Sequence, residues 1–123
     1  MRTLVVDDSE LARNRICSYL STEPTIEVVG TAADGEDALN SFKYLHPDLV
    51  LLDFQMPGMN GLEVAACLSQ SSPIPRIIIV SGVEFSLTPD RAHKLGVTGI
   101  VSKQHLSEEF PELLEQILPP SKL

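Results

Sequence analysis

The sequence predicts an α/β domain built around a parallel sheet. Two patterns carry this expectation. Short apolar runs of strand length alternate with segments of helical periodicity, and the apolar runs end in acidic or polar side chains. At 123 residues the chain is long enough for one compact core and too short for two comfortable ones.

The first strand covers Thr3 to Val6. A helix follows from Ser9, with Ala12, Ile16, Tyr19 and Leu20 at helical spacing. Ile26 to Thr31 is a second strand, more polar and so expected nearer an edge. Asp34 is placed to cap the next helix, whose apolar face is Ala38, Leu39, Phe42 and Leu45 and which Pro47 stops. Asp48 to Leu52 is the most apolar strand, expected at the centre. The Pro57-Gly58 step suits a tight reversal, and Asn60 with Glu63 forms a capping-box start for a helix burying Leu62, Ala65, Ala66 and Leu68.

Arg76 to Val80 is the fourth strand. Thr88-Pro89 opens a short helix ending at Gly96 and anchored by Ala92 and Leu95. Gly99 to Val101 is the fifth strand. The last helix carries Phe110, Leu113, Leu114, Ile117 and Leu118, with Pro111 expected in its first turn and Pro119-Pro120 ending it.

Composition narrows the function classes. A net charge of −8 offers no basic stripe for nucleic acid, and 43% hydrophobic residues is too many for disorder. Cys17 and Cys67 lie in helical stretches and read as buried, reduced thiols, which suits a cytoplasmic protein. No apolar run approaches the roughly 18 residues of a membrane span, and Met1-Arg2 leads straight into a strand, so neither a span nor a signal peptide is expected. Ser121-Lys122-Leu123 matches a peroxisomal address, but three residues are weak support and read better as the start of a linker or a chain end.

The chemistry lies at the strand ends. Asp7-Asp8 follows the first strand, Asp53 the third, Ser81 the fourth, and Lys103 the fifth after one serine. In a parallel sheet these ends share one edge, where ligands bind. Three carboxylates there would repel each other unless a divalent cation sat among them, and Mg²⁺ suits one or two carboxylates, backbone oxygen and water. With a lysine charge and a serine hydroxyl, the set suits three phosphoryl oxygens. Singly, each residue has a plainer role: the Asp pair as a helix cap, Asp53 or Ser81 in a turn, Lys103 in solvent. The combination carries the weight.

From Arg2 to Leu118 the chain resembles the receiver domain of two-component response regulators. The supporting residues are Leu4-Val5-Val6-Asp7-Asp8, Asp34-Gly35, Pro47 through Asp53, Met56 through Gly61, Ser81 and Lys103. The resemblance implies a doubly wound, five-stranded parallel sheet of flavodoxin-like order 2-1-3-4-5, with helices on both faces. It makes residues 1–118 the receiver domain and 119–123 a linker start or tail. Asp53 would accept a phosphoryl group from the phosphohistidine of a histidine kinase. Asp8 would bind Mg²⁺ directly, Asp7 mainly through water, and the Gln55 carbonyl would complete the site. Lys103 and Ser81 would contact the phosphoryl group.

Glu27 through Gly35 and Ser102-Lys103-Gln104 resemble receivers joined to a helix-turn-helix domain, so DNA would be reached only through another domain. A homodimer is a further expected association, and a membrane is not. The resemblance also frames two departures. Ile100 stands where many receivers carry a switching Tyr or Phe, and Gln104 where many have a cis proline, so a trans Lys103–Gln104 bond is expected. Gln55 and Val83 flank the pocket entrance.

Other classes fit less well. An aspartyl phosphohydrolase would need an acid two residues after Asp53, where Gln55 stands. A flavin-binding relative would need a glycine- and hydroxyl-rich loop where Asp7-Asp8-Ser9-Glu10 would repel phosphate. A degenerate receiver acting only in dimerisation or docking is the runner-up, opposed by retention of Asp53, Lys103 and both early aspartates.

Overall fold

The computed structural model describes residues 1–82 and 88–117; Val83, Leu118 and the expected stop at Pro119-Pro120 lie outside them. In chain order the elements are β1 Arg2–Val6, α1 Glu10–Leu20, β2 Glu27–Ala32, α2 Gly35–Leu45, β3 Leu49–Asp53, α3 Gly61–Leu68, β4 Arg76–Ser81, α4 Pro89–Leu95, β5 Gly99–Ser102 and α5 Leu106–Ile117. The strands pair in parallel in the order β2-β1-β3-β4-β5, as the resemblance implied. The polar β2 lies at an edge and the apolar β3 at the centre.

Each β3 side chain is buried, because the sheet is covered on both faces and a central strand has no solvent side. Alternation divides the strands between two cores. Leu4, Val6, Val50, Leu52, Ile77 and Ile79 face one core, which includes Ala38 of α2 and Val64, Ala65 and Leu68 of α3. Val5, Leu49, Leu51, Ile78, Val80 and Val101 face the other, with Ile16 and Leu20 of α1 and Phe110, Leu114 and Ile117 of α5.

Local chemistry fixes the helix ends. The Ser9 hydroxyl accepts from the Ala12 N–H at 3.2 Å, and the Asp34 carboxylate accepts from the Asp37 N–H at 2.8 Å. Asn60 and Glu63 complete a reciprocal capping box at 2.9 and 3.0 Å. Thr88 caps α4 with Pro89 in its first turn, and Gly96 ends it at φ 76°, a left-handed conformation that glycine adopts without steric cost. α2 ends one residue before His46, which is left-handed itself at φ 47°, so Pro47 lies just beyond the cap.

Three expectations need correction. α5 starts at Leu106, so Pro111 lies inside the helix rather than in its first turn. Leu106 is buried against the core, and His105 O accepts from the N–H groups of both Glu108 and Glu109, which starts the helix upstream of Pro111. Proline cannot donate to the carbonyl four residues back, and that residue, Ser107, is exposed, where water can serve the carbonyl. Cys67 is exposed because the inward stripe of α3 runs through Val64, Ala65 and Leu68, and Cys17 is only partly buried on α1, where Ile16 and Leu20 face inward. Leu62 packs partly buried against the same core, as expected, whereas Ala66 is half-buried beside the stripe. Among the described residues no helix is long and apolar enough to cross a membrane.

Phe110 is fully buried and meets the Tyr19 ring edge-on, with centroids 6.1 Å apart. Phe110→Ala should therefore destabilise the domain by about 3–5 kcal/mol. Leu11→Ala, at a side chain 62% exposed, should stay within about 0.5 kcal/mol of wild type in urea unfolding.

Candidate functional site

The sheet delivers the strand-end residues to one edge. Asp7 follows β1, and its N–H donates to Ala32 O at 3.1 Å, which extends the pairing with β2 by one residue. Its side chain is fully buried, whereas neighbouring Asp8 is exposed. Asp53 is the last residue of β3 and Ser81 the last of β4, and both are buried. The Lys103 N–H donates to Ser81 O at 2.8 Å, so the end of β4 positions the lysine that follows β5.

The Lys103 ammonium lies between two carboxylates, with Nζ 2.7 Å from Asp7 Oδ2 and 3.3 Å from Asp53 Oδ1. The Gln55 N–H donates to Asp53 Oδ1 at 3.3 Å, and the Ser9 N–H to Asp7 Oδ1 at 2.9 Å. Asp7 Oδ2 is different. It is buried, and although the Lys103 charge is close, no donor is aligned on it in hydrogen-bond geometry. One oxygen each from Asp7, Asp8 and Asp53 lies within 4.8 Å of the others. This oxygen-only set, with one buried oxygen short of a donor, fits a hard divalent cation.

Backbone packing keeps Asp53 in place. A Cβ added at Gly61 would come within 2.5 Å of Asp53 O, so the start of α3 approaches the end of β3 more closely than any side chain permits. Gly61 N–H also donates to Phe54 O at 3.0 Å. Gln55 is exposed in the loop between them.

At the two departures, Ile100 is half-buried against the core that α2 and α3 cover, and Lys103–Gln104 is trans as expected. Sequence reasoning missed two supports. Arg13 Nη1 donates to Asp7 O at 2.7 Å, and Glu109 Oε1 accepts from Ser102 N–H at 2.7 Å. An arginine or glutamate on an amphipathic helix reads as solvated, and nothing in the spacing marked either as turned inward.

Electrostatics follow from burial. Desolvation, then the Asp7 charge, pushes the Asp53 carboxyl up to about 6, although Lys103 and the Gln55 N–H favour its ionised form. Burial works against the Lys103 charge, but its contacts with Asp7 and Asp53 outweigh that and raise its pKa above the ordinary value.

Residues 3–115 match the response regulator receiver domain family, and the chain belongs to it. A protein-glutamate methylesterase/protein-glutamine glutaminase of Halalkalibacterium halodurans is 44% identical over 107 residues, which is 84% of this chain but only 30% of that protein. The chain thus spans about a third of the length of that relative. A DNA-binding response regulator of the LuxR family from Staphylococcus aureus superposes with a TM-score of 0.80 at 26% identity, covering 94% of this chain and 98% of the other. CheY6 of R. sphaeroides, solved in complex with the P1 domain of CheA3, superposes with a TM-score of 0.72 at 31% identity, covering 93% and 96%.

The raised Asp53 pKa has a measurable consequence. The unfolded carboxyl titrates near 3.8 and the folded one near 6, so the native state binds more protons in between. This group's contribution to metal-free stability should fall as pH rises from about 4 through about 6, by roughly 1–3 kcal/mol. Asp53→Asn should abolish that decline, which urea unfolding in EDTA at pH 4 and pH 7 will read.

Proposed function

We propose that this receiver domain is a phosphorylation switch in which Asp53 is the phosphoacceptor. The observation that carries this reading is the placement of a buried carboxylate at the end of the central strand, 3.3 Å from a lysine ammonium and beside two further aspartates. An Asp53 oxygen attacks the phosphorus of a phosphohistidine, the P–N bond breaks, and the imidazole keeps its electron pair. The product is an acyl phosphate on Asp53.

Asp7, Asp8 and Asp53 would hold Mg²⁺, with the Gln55 carbonyl completing the set. When bound, the cation offsets carboxylate charge and orients phosphoryl oxygens. Lys103 stays near Asp53 and neutralises charge that develops on the transferring group, and the Ser81 hydroxyl, at the end of the adjacent strand, hydrogen-bonds a phosphoryl oxygen. Catalysis is positioning plus charge neutralisation.

A histidine kinase is the phosphodonor in this reading, supported by the similarity to a receiver solved with a CheA3 P1 domain. We assign the domain to the cytoplasm. Phosphorylation switches an output surface, read either by a further domain or by a separate partner. The sequence resemblance favours DNA control through a helix-turn-helix domain, with homodimerisation as part of the response. The identity to a methylesterase favours control of an enzymatic domain instead.

Incubation with acetyl phosphate and Mg²⁺ should add one phosphoryl group by intact mass, and Asp53→Asn should remove it. Lys103→Met should slow labelling by about 10²-fold. Wild type left unlabelled by acetyl phosphate and by its kinase would point instead to a docking module.

A further inference from the structure

Arg13 is the one cation besides Lys103 seen bonded to the acidic pair among the described residues, and the phosphorylation chemistry above does not use it. Three polar positions of Asp7 carry hydrogen bonds, and the fourth, Oδ2, has only the Lys103 charge beside it. The Asp7 N–H donates to Ala32 O, Oδ1 accepts from the Ser9 N–H, and the carbonyl accepts from Arg13 Nη1 at 2.7 Å. That carbonyl belongs to the peptide joining Asp7 to Asp8. A peptide unit is planar, so a bond that fixes the Asp7 carbonyl also fixes the Asp8 N–H and both α-carbons. Asp7 is buried and held by its side-chain contacts as well. Asp8 is exposed, and the direction its carboxylate takes depends on this peptide plane.

From this geometry, and resting on the cation-dependent reading of the site, we infer that Arg13 is a positioning residue for divalent-cation binding. Its guanidinium reaches back from the second turn of α1 to orient the Asp7–Asp8 peptide, so that both carboxylates face Asp53. A partly buried arginine suits this task because its rigid planar fork holds direction, which a lysine point charge does not.

A purely structural arginine would change stability and leave cation affinity alone. A positioning arginine changes the cation concentration needed for half-saturation and leaves the saturated rate nearly intact. Mg²⁺ binding measured by calorimetry without phosphodonor, alongside acetyl phosphate labelling across a Mg²⁺ series, separates the two. R13M should raise the half-saturating Mg²⁺ concentration by about tenfold or more, the usual effect of losing an outer-shell partner. Labelling should recover at high Mg²⁺. R13K should show an intermediate loss, and decides the matter should R13M fail to fold. R15M, which removes an equal charge from an exposed position on the same helix, should match wild type.

Unchanged or tighter Mg²⁺ binding in folded R13M or R13K would overturn the assignment, as would a lower saturated rate with the same Mg²⁺ dependence. Wild type that binds Mg²⁺ without being labelled would sink the phosphoacceptor reading, while calorimetry would still judge Arg13.

Discussion

Repulsion among three carboxylates at one sheet edge is the constraint around which the rest of the molecule is arranged. Oxygens of Asp7, Asp8 and Asp53 lie within 4.8 Å of each other, and at an effective dielectric of about 20 a like-charge pair at that range costs about 3.5 kcal/mol. The Lys103 ammonium, 2.7 Å from Asp7 and 3.3 Å from Asp53, offsets part of that cost. Burial first and the Asp7 charge second still hold the Asp53 carboxyl above its ordinary range. A site in this state favours the arrival of positive charge, and a divalent cation is the form that oxygen ligands suit.

The fold supplies the means of holding that arrangement. A parallel sheet buried on both faces brings β1, β3, β4 and β5 to the same edge, where β3 and β4 contribute their last residues and β1 and β5 the residues just after them. The two apolar cores keep the strands in register, so the charged edge need not stabilise the fold that carries it. Close approach at Gly61 and the hydrogen bond from Lys103 N–H to Ser81 O fix the two residues that would face the phosphoryl group. Ile100 gives the domain no ring to rotate. The Glu109 carboxylate on the Ser102 N–H instead ties the lysine loop to α5.

Much of this was legible in the sequence because it depended on local pattern. Continuous apolar runs marked the strands, and Asp53 stood out as a charge closing the most apolar one. Caps at Asp34, Asn60 and Thr88 declared themselves through residue type and spacing. The failures share a physical cause. The start of α5 depends on burial of Leu106, a tertiary event, while Pro111 has the local look of a first-turn residue. The exposure of Cys67 depends on how α3 is rotated against the sheet. Arg13 and Glu109 turn toward backbone groups that only the folded chain brings near.

Asp53 is held under electrostatic stress that a bound cation would relieve. Carboxyl-carbon NMR titration of Asp53, with and without Mg²⁺, tests this most directly. The expected result is an apparent pKa near 6 in the metal-free protein and a clear downward shift when Mg²⁺ is added. An Asp53 that titrates near 3.8 without metal, or whose titration ignores Mg²⁺, would contradict it.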